Sequence, residues 1–306
     1  MKRAIVTGPT GAIGIALIEK LASEDVEVTA VCRKGSQRIQ NVPQNSKVKI
    51  VECSLDHLNA LTDLVKEKQD VFYHFAWDGT FGEARNDMYL QNRNVEYTLN
   101  AVETAKKLGC EAFIGAGSQA EYGRVEGVLK PDTPAYPENG YGIAKLCAGQ
   151  MSRILCEHLG IRHVWARILS VYGPYDGENT LVMSAIRKLL KGEIPEFTKG
   201  EQQWDYLYSK DAAAMFYALG LSGKNGSIYC LGSGQARPLK EYIYEIRNQI
   251  NPDAELGLGK IPYGDKQVMY LCADTAKLRE DTGYTRCCDF SEGISETIQW
   301  YKGRIL

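Results

Sequence analysis

The chain has 306 residues, 44% hydrophobic and 24% charged, with a formal net charge of −2. That composition suits a soluble globular protein with one large domain, or one domain and a smaller lobe, and supplies no field to hold nucleic acid or an anionic membrane. No run approaches the roughly 18 apolar residues of a membrane span, and the 4 histidines are too scattered for a metal site.

The 9 cysteines are odd in number and lack Cys-x-x-Cys spacing, so they read as reduced thiols of a cytoplasmic protein. The N-terminus, MKRAIVTG, enters a strand directly, without a charged-then-apolar signal segment. That strand, residues 3–7, is followed by GPTGAIG and then by IALIEKLASE, where Ile15, Leu17, Ile18 and Leu21 recur at helical spacing. A second apolar run covers 26–31. Strand, glycine turn, helix and strand make one βαβ unit.

Each glycine has a mechanical reason. Gly8 permits a tight turn, Gly11 lets a pyrophosphate approach backbone, and Gly14 lets the helix lie close on the strand. Phosphates then rest on the positive helix N-terminus. Thr10, Ala12 and Ile13 complete this candidate dinucleotide site. At the tip of the second strand, a carboxylate would bind a free ribose 2′-hydroxyl. The chain has Cys32, Arg33 and Lys34 there, which suits a 2′-phosphate; NADP(H) is therefore expected ahead of NAD(H).

Further strands are predicted at 48–51, 71–75, 112–116 and 163–168, with a helix from Leu90 to Leu108. The alternation predicts an α/β fold, a Rossmann-type doubly wound parallel sheet, with ligands at the carboxyl ends of its strands. The stretch AYPENGYGIAKLCAGQ places Tyr141 and Lys145 four apart, a spacing that an ordinary helix face also produces.

The ordered set TGPTGAIG (7–14), HFA (74–76), GSQAEYG (117–123), YGIAK (141–145), RILSVYGP (167–174), LYSKDAA (207–213) and ADTAKLREDTGY (273–284) resembles the extended short-chain dehydrogenases/reductases of the NAD(P)-dependent epimerase/dehydratase family, enzymes of nucleotide sugars. The likeness implies a dinucleotide-binding domain over 1–174, with segments near 205–232 returning to it. Residues 175–306 would then be mostly a smaller interleaved C-terminal substrate lobe. It assigns Tyr141 as acid/base, Lys145 as the cation that lowers the phenol's pKa and holds the nicotinamide ribose, and Ser118 as hydrogen-bond partner of the substrate oxygen. A phenol titrates near 10, and a nearby ammonium favours its ionised form. Ser54, Leu55, Phe75, Ala76, Asn94 and Ile168 are further cofactor candidates. The likeness also implies a homodimer.

Relatives that dehydrate carry an Asp-Glu pair after the catalytic hydroxyl residue; here those positions are Gln119 and Ala120, which cannot do acid–base work. Relatives that invert beside the carbonyl carry a cysteine where this chain has Ala120. NADPH-dependent reduction of a 4-keto sugar on a nucleotide diphosphate is the expected reaction. The alternatives are a 4-epimerase with tightly held NAD and a non-catalytic NADP-binding regulator. Substrate candidates are Trp77, Ser118, Gln119, Glu121, Ser170, Trp204 and Tyr263. Of these, Glu121 reads equally as a loop residue tied to backbone, and Trp77 equally as packing under its loop. Trp204 and the KIPYGD stretch stand where relatives have diphosphate-binding arginines.

Overall fold

A computed structural model describes residues 1–305. The first six strands are β1 (Arg3–Thr7), β2 (Glu27–Cys32), β3 (Val48–Glu52), β4 (Val71–His74), β5 (Ala112–Ser118) and β6 (Arg162–Ile168). All are mostly buried, apart from the half-covered β3. That is the pattern of a sheet covered on both faces. A seventh strand, Ser227–Leu231, joins the edge beside β6, and the order from the far edge is β3-β2-β1-β4-β5-β6 and then this strand, all parallel. The order reverses direction between β1 and β4, where a doubly wound sheet opens its ligand crevice.

Helices cover both faces. α1 (Ala12–Ser23) and a later helix, Ser209–Ser222, share one core with the sheet through Leu17, Ile18, Leu21, Phe216 and Leu219. Between them in the chain come a short α2 (Leu61–Leu64), α3 (Met88–Lys107), α4 (Gly140–Leu159) and α5 (Leu181–Leu190). α3 and α4 close the opposite face through Ala101, Val102, Ala105 and Cys156. The helix expected from Leu90 begins two residues earlier, because Asp87 caps it by accepting from Leu90 N at 3.0 Å.

A separate core lies beyond the sheet's carboxyl edge, joining Val182, Ile186, Leu189, Tyr242, Ile243, Ile246, Ile294 and Ile298. It is built by α5, by Leu239–Ile250 and by the closing helix Phe290–Ile305. Short two-stranded ribbons stitch it to the sheet: Ser170–Tyr172 pairs with Tyr206–Tyr208, and Gln203–Trp204 pairs with Arg237–Pro238. Among the described residues no helix is long and apolar enough to cross a membrane, and the nine cysteines are unpaired.

Candidate active site

The glycine turn meets its mechanical requirements. Gly8 has φ +70°, and a methyl group there would press on the Phe75–Ala76 backbone. At Gly14 it would overlap the carbonyl of Gly8. At Gly11 it would meet nothing within 4 Å, so this residue faces open space. Gly11 is also the N-cap of α1 and offers no side chain to the helix's first N–H groups. These unpaired donors, at the positive end of the helix, fit a pyrophosphate.

The turn opens on a cleft of about 480 Å³ walled by Gly8, Thr10, Gly11, Arg33, Ser54, Leu55, Phe75 and Ala76. Ala12, Ile13 and Gly14 form the first turn of α1 beside it. Lys34, Asn94 and Ile168 stand apart from this wall. Lys34 is exposed and is not part of the cleft wall. Instead Ser36 and Arg38 stand with Arg33, and Arg38 Nη2 donates to Thr10 O at 2.7 Å. Asn94 is buried and spends its amide on the loop after β4, accepting from Asp78 N at 2.9 Å and donating to Asp78 O at 2.9 Å. It holds that loop in place. Ile168 pairs with Ser118 in the β5–β6 register and is half-buried against the main core.

Ser118 ends β5, and Tyr141 and Lys145 lie on the first turns of α4. Asn139 caps α4 by accepting from Gly142 N at 2.8 Å. Gly142 has no side chain because a methyl there would overlap Ala120 O, so α4 begins against the loop that follows Ser118. This contact joins the three residues.

Lys145 is 4% exposed, and its Nζ donates to Ala116 O at 2.6 Å. It sits 3.8 Å from the centre of the Trp77 ring. Burial pulls its pKa down from 10.5 to about 7, against an opposing pull from Glu121. Tyr141 is half-buried and its pKa is raised by burial, with the Ser118 hydroxyl and the Arg85 guanidinium acting in the other direction. Arg85 lies 4.6 Å from the ring centre. Lys145 Nζ lies 5.8 Å from the same ring centre, so both cations stand beside the phenol.

Trp77 lines the cleft beside the glycine turn. Its Nε1 donates to Gln91 Oε1 at 2.9 Å, and its ring meets Tyr141 edge-on at 6.1 Å. Glu121 does not face a cleft at all. It is 0% exposed, and its oxygens accept from Ser118 N at 2.8 Å, Trp165 Nε1 at 3.0 Å and Arg167 Nε at 2.7 Å. Gln119 stays half-exposed beside Ser118.

A second cavity of about 530 Å³ lies between the sheet edge and the outer core. Ser170 and Trp204 both line it and are joined, Trp204 Nε1 donating to Ser170 Oγ at 2.9 Å. Tyr263 does not line it; its hydroxyl accepts from Glu201 N at 3.1 Å. The charged groups on its wall are Asp176, Glu196 and Lys188. Burial raises the Asp176 carboxyl to about 6. Among the described residues Lys188 is thus the one cation on this wall, and nothing in its helical sequence context distinguishes it from neighbouring Arg187 and Lys191.

The profile of the NAD dependent epimerase/dehydratase family matches residues 4–232. A putative UDP-glucose 4-epimerase of Methanocaldococcus jannaschii is 25% identical over 305 residues, covering 97% of this chain and 98% of that one. A UDP-N-acetylglucosamine 4-epimerase from Methanobrevibacter ruminantium, solved with UDP-N-acetylmuramic acid, superposes with a TM-score of 0.90 at 22% identity over 99% of both chains. A UDP-glucuronic acid 4-epimerase from Bacillus cereus, solved with NAD, gives 0.85 at 21% identity, covering 99% of this chain and 100% of the other. The chain belongs to the NAD dependent epimerase/dehydratase family, NAD(P)-dependent enzymes of the extended short-chain dehydrogenase/reductase type.

Proposed function

We propose that this protein inverts C4 of a hexose carried on a nucleoside diphosphate, acting as a 4-epimerase. One observation carries the reading. The reaction centre holds one phenol, Tyr141, and one hydroxyl, Ser118, while the carboxylate on the following loop, Glu121, is buried and fully bonded. Dehydration or inversion beside a carbonyl needs a further acid or base at carbon, and Gln119 and Ala120 supply none. Interconversion of an alcohol and a ketone needs only a proton moved at oxygen and a hydride moved at the same carbon.

Bound NAD(P) supplies the acceptor and donor of that hydride. Tyr141 takes the proton from the 4-hydroxyl and returns it after the keto sugar has turned over. Ser118 holds the same oxygen by a hydrogen bond, and Lys145 places a positive charge beneath. The 4-epimerases among the similar proteins support this reading. So does NAD in the Bacillus cereus structure.

A second reading, NADPH-dependent reduction of a 4-keto sugar, is favoured by Arg33, Ser36 and Arg38 on the adenosine side of the cleft. Two guanidiniums and a hydroxyl suit a 2′-phosphate. In either reading residues 1–174 hold the cofactor and 175–306 mostly hold the substrate, in a cytoplasmic homodimer.

The purified protein is incubated with NAD and a panel of nucleotide hexoses, and the products are resolved by NMR. Inversion at C4 without net change at 340 nm supports the epimerase. Stoichiometric oxidation of NADPH by a nucleotide-linked 4-keto sugar supports the reductase instead. Turnover in neither assay removes the support for both.

A further inference from the structure

A fully buried, triply bonded carboxylate, Glu121, lies next to the reaction centre yet lines neither cleft. Glu121 and Arg167 are 0% and 3% exposed and pair at 2.7 Å. A buried ion pair is seldom a gain in stability over well-packed apolar residues, so its presence calls for a local task. The surroundings are shaped for it. A methyl group on Gly117 would overlap both Glu121 Oε1 and the Trp165 indole nitrogen. Gly115 and Gly149 leave room for the Trp165 ring, whose Nε1 donates to that carboxylate. Arg167 in turn lies 4.3 Å from the centre of the Tyr122 ring.

Glu121 reaches the chemistry through Ser118. Its Oε1 accepts from Ser118 N at 2.8 Å, while Ser118 Oγ accepts from Ala120 N at 3.1 Å. One oxygen lone pair of the serine is thereby occupied and its backbone fixed, leaving the O–H free to donate. We infer that Glu121 is the positioning residue of this site, holding Ser118 as a donor to the substrate oxygen. The inference rests on the hydride-transfer reading above for its effect on turnover, but not for its effect on the Ser118 backbone.

The test is the Glu121→Gln variant, read first without substrate. Glu121 accepts on both oxygens, from Ser118 N and from Arg167 Nε, and an amide must turn its N–H groups toward one of them. Hydrogen exchange of the Ser118 backbone amide is followed by NMR in serine-labelled protein, assigned by its absence in Ser118→Ala, and we expect it to quicken about tenfold or more. With substrate, kcat should fall about tenfold or more, with KM nearly unchanged. A variant that merely loses thermal stability, with the Ser118 exchange unmoved, overturns the inference. Should the uncharged amide opposite Arg167 prevent folding, the neutral pair Glu121→Gln with Arg167→Met is read in the same way: quickened exchange supports the inference and unchanged exchange refutes it. Failure of every sugar assay would count against the proposed reaction, while the Ser118 exchange would still decide the role of Glu121.

Discussion

Lys145 carries a charge that the fold would be more stable without. Its ammonium is nearly shut off from water and titrates near 7 where an exposed lysine titrates at 10.5. At about 1.4 kcal/mol per pH unit of displacement this is roughly 5 kcal/mol of native-state stability withheld. Because the folded pKa is the lower one, the unfolded chain binds more protons between about 7 and 10.5. Stability therefore rises with pH across that window, and the penalty is fully present below it. Lys145→Met removes the charge and refills most of the space. It also strips Ala116 O of its donor, a loss of about 1–3 kcal/mol. The variant should therefore be more stable than the parent by about 2–4 kcal/mol near pH 6, and inactive. Urea unfolding at pH 6, 8 and 10 measures it, with the advantage shrinking as pH rises. An advantage that is equal at pH 6 and pH 10, or a variant less stable at pH 6, would refute the assignment of Lys145 as a buried ammonium.

Other consequences are simpler to read. Gly11→Ala adds a methyl group to open space, so the melting temperature should hold while cofactor binding, followed by fluorescence, weakens about tenfold or more. Gly14→Ala, whose methyl overlaps Gly8 O, should instead cost about 1–3 kcal/mol of stability. Tyr141→Phe should lower kcat by about 10²–10⁴ while leaving ligand binding nearly intact; full turnover in that variant would place the proton transfer elsewhere. Lys188→Ala removes the one cation that the described residues place on the wall of the 530 Å³ cavity and should raise KM for the nucleotide sugar without changing kcat.

What the sequence makes legible here is whatever local chemistry forces. The glycine turn is readable because two steric demands, at Gly8 and Gly14, and an open backbone position, at Gly11, fall at fixed offsets between a strand and a helix. The inner strands β1, β2, β4 and β5 are readable because a sheet covered on both faces leaves nearly continuous apolar runs. The last strand, Ser227–Leu231, passes from half-buried to buried along its length, as an edge strand does, and is visible in the sequence only as part of a segment returning to the sheet. Side chains whose task depends on depth are a different matter. Asn94 and Asn139 have the same chemistry, yet one is buried under a loop and the other caps a helix. Lys34 and Arg38 are both cations after β2, but a single turn of 3₁₀ helix, Gln37–Asn41, brings the second back over Thr10 and leaves the first in water.

Glu121 shows the limit most clearly. In GSQAEYG it stands two residues beyond Gln119 on a short loop, where a carboxylate is ordinarily solvated or turned toward a ligand. Its burial depends on Trp165 and Arg167, both on β6 and more than forty residues away, and on the register that sets Gly117 opposite Arg167. A β-strand turns alternate residues to opposite faces, so a slip of one residue would swing Arg167 and Trp165 away together and leave a bare carboxylate under the active site. The same pairing that places Ser118 at the end of β5 also supplies the groups that hold it there. A variant of β6 that alters this register should thus fail in catalysis and in folding together, whereas Glu121→Gln should separate the two.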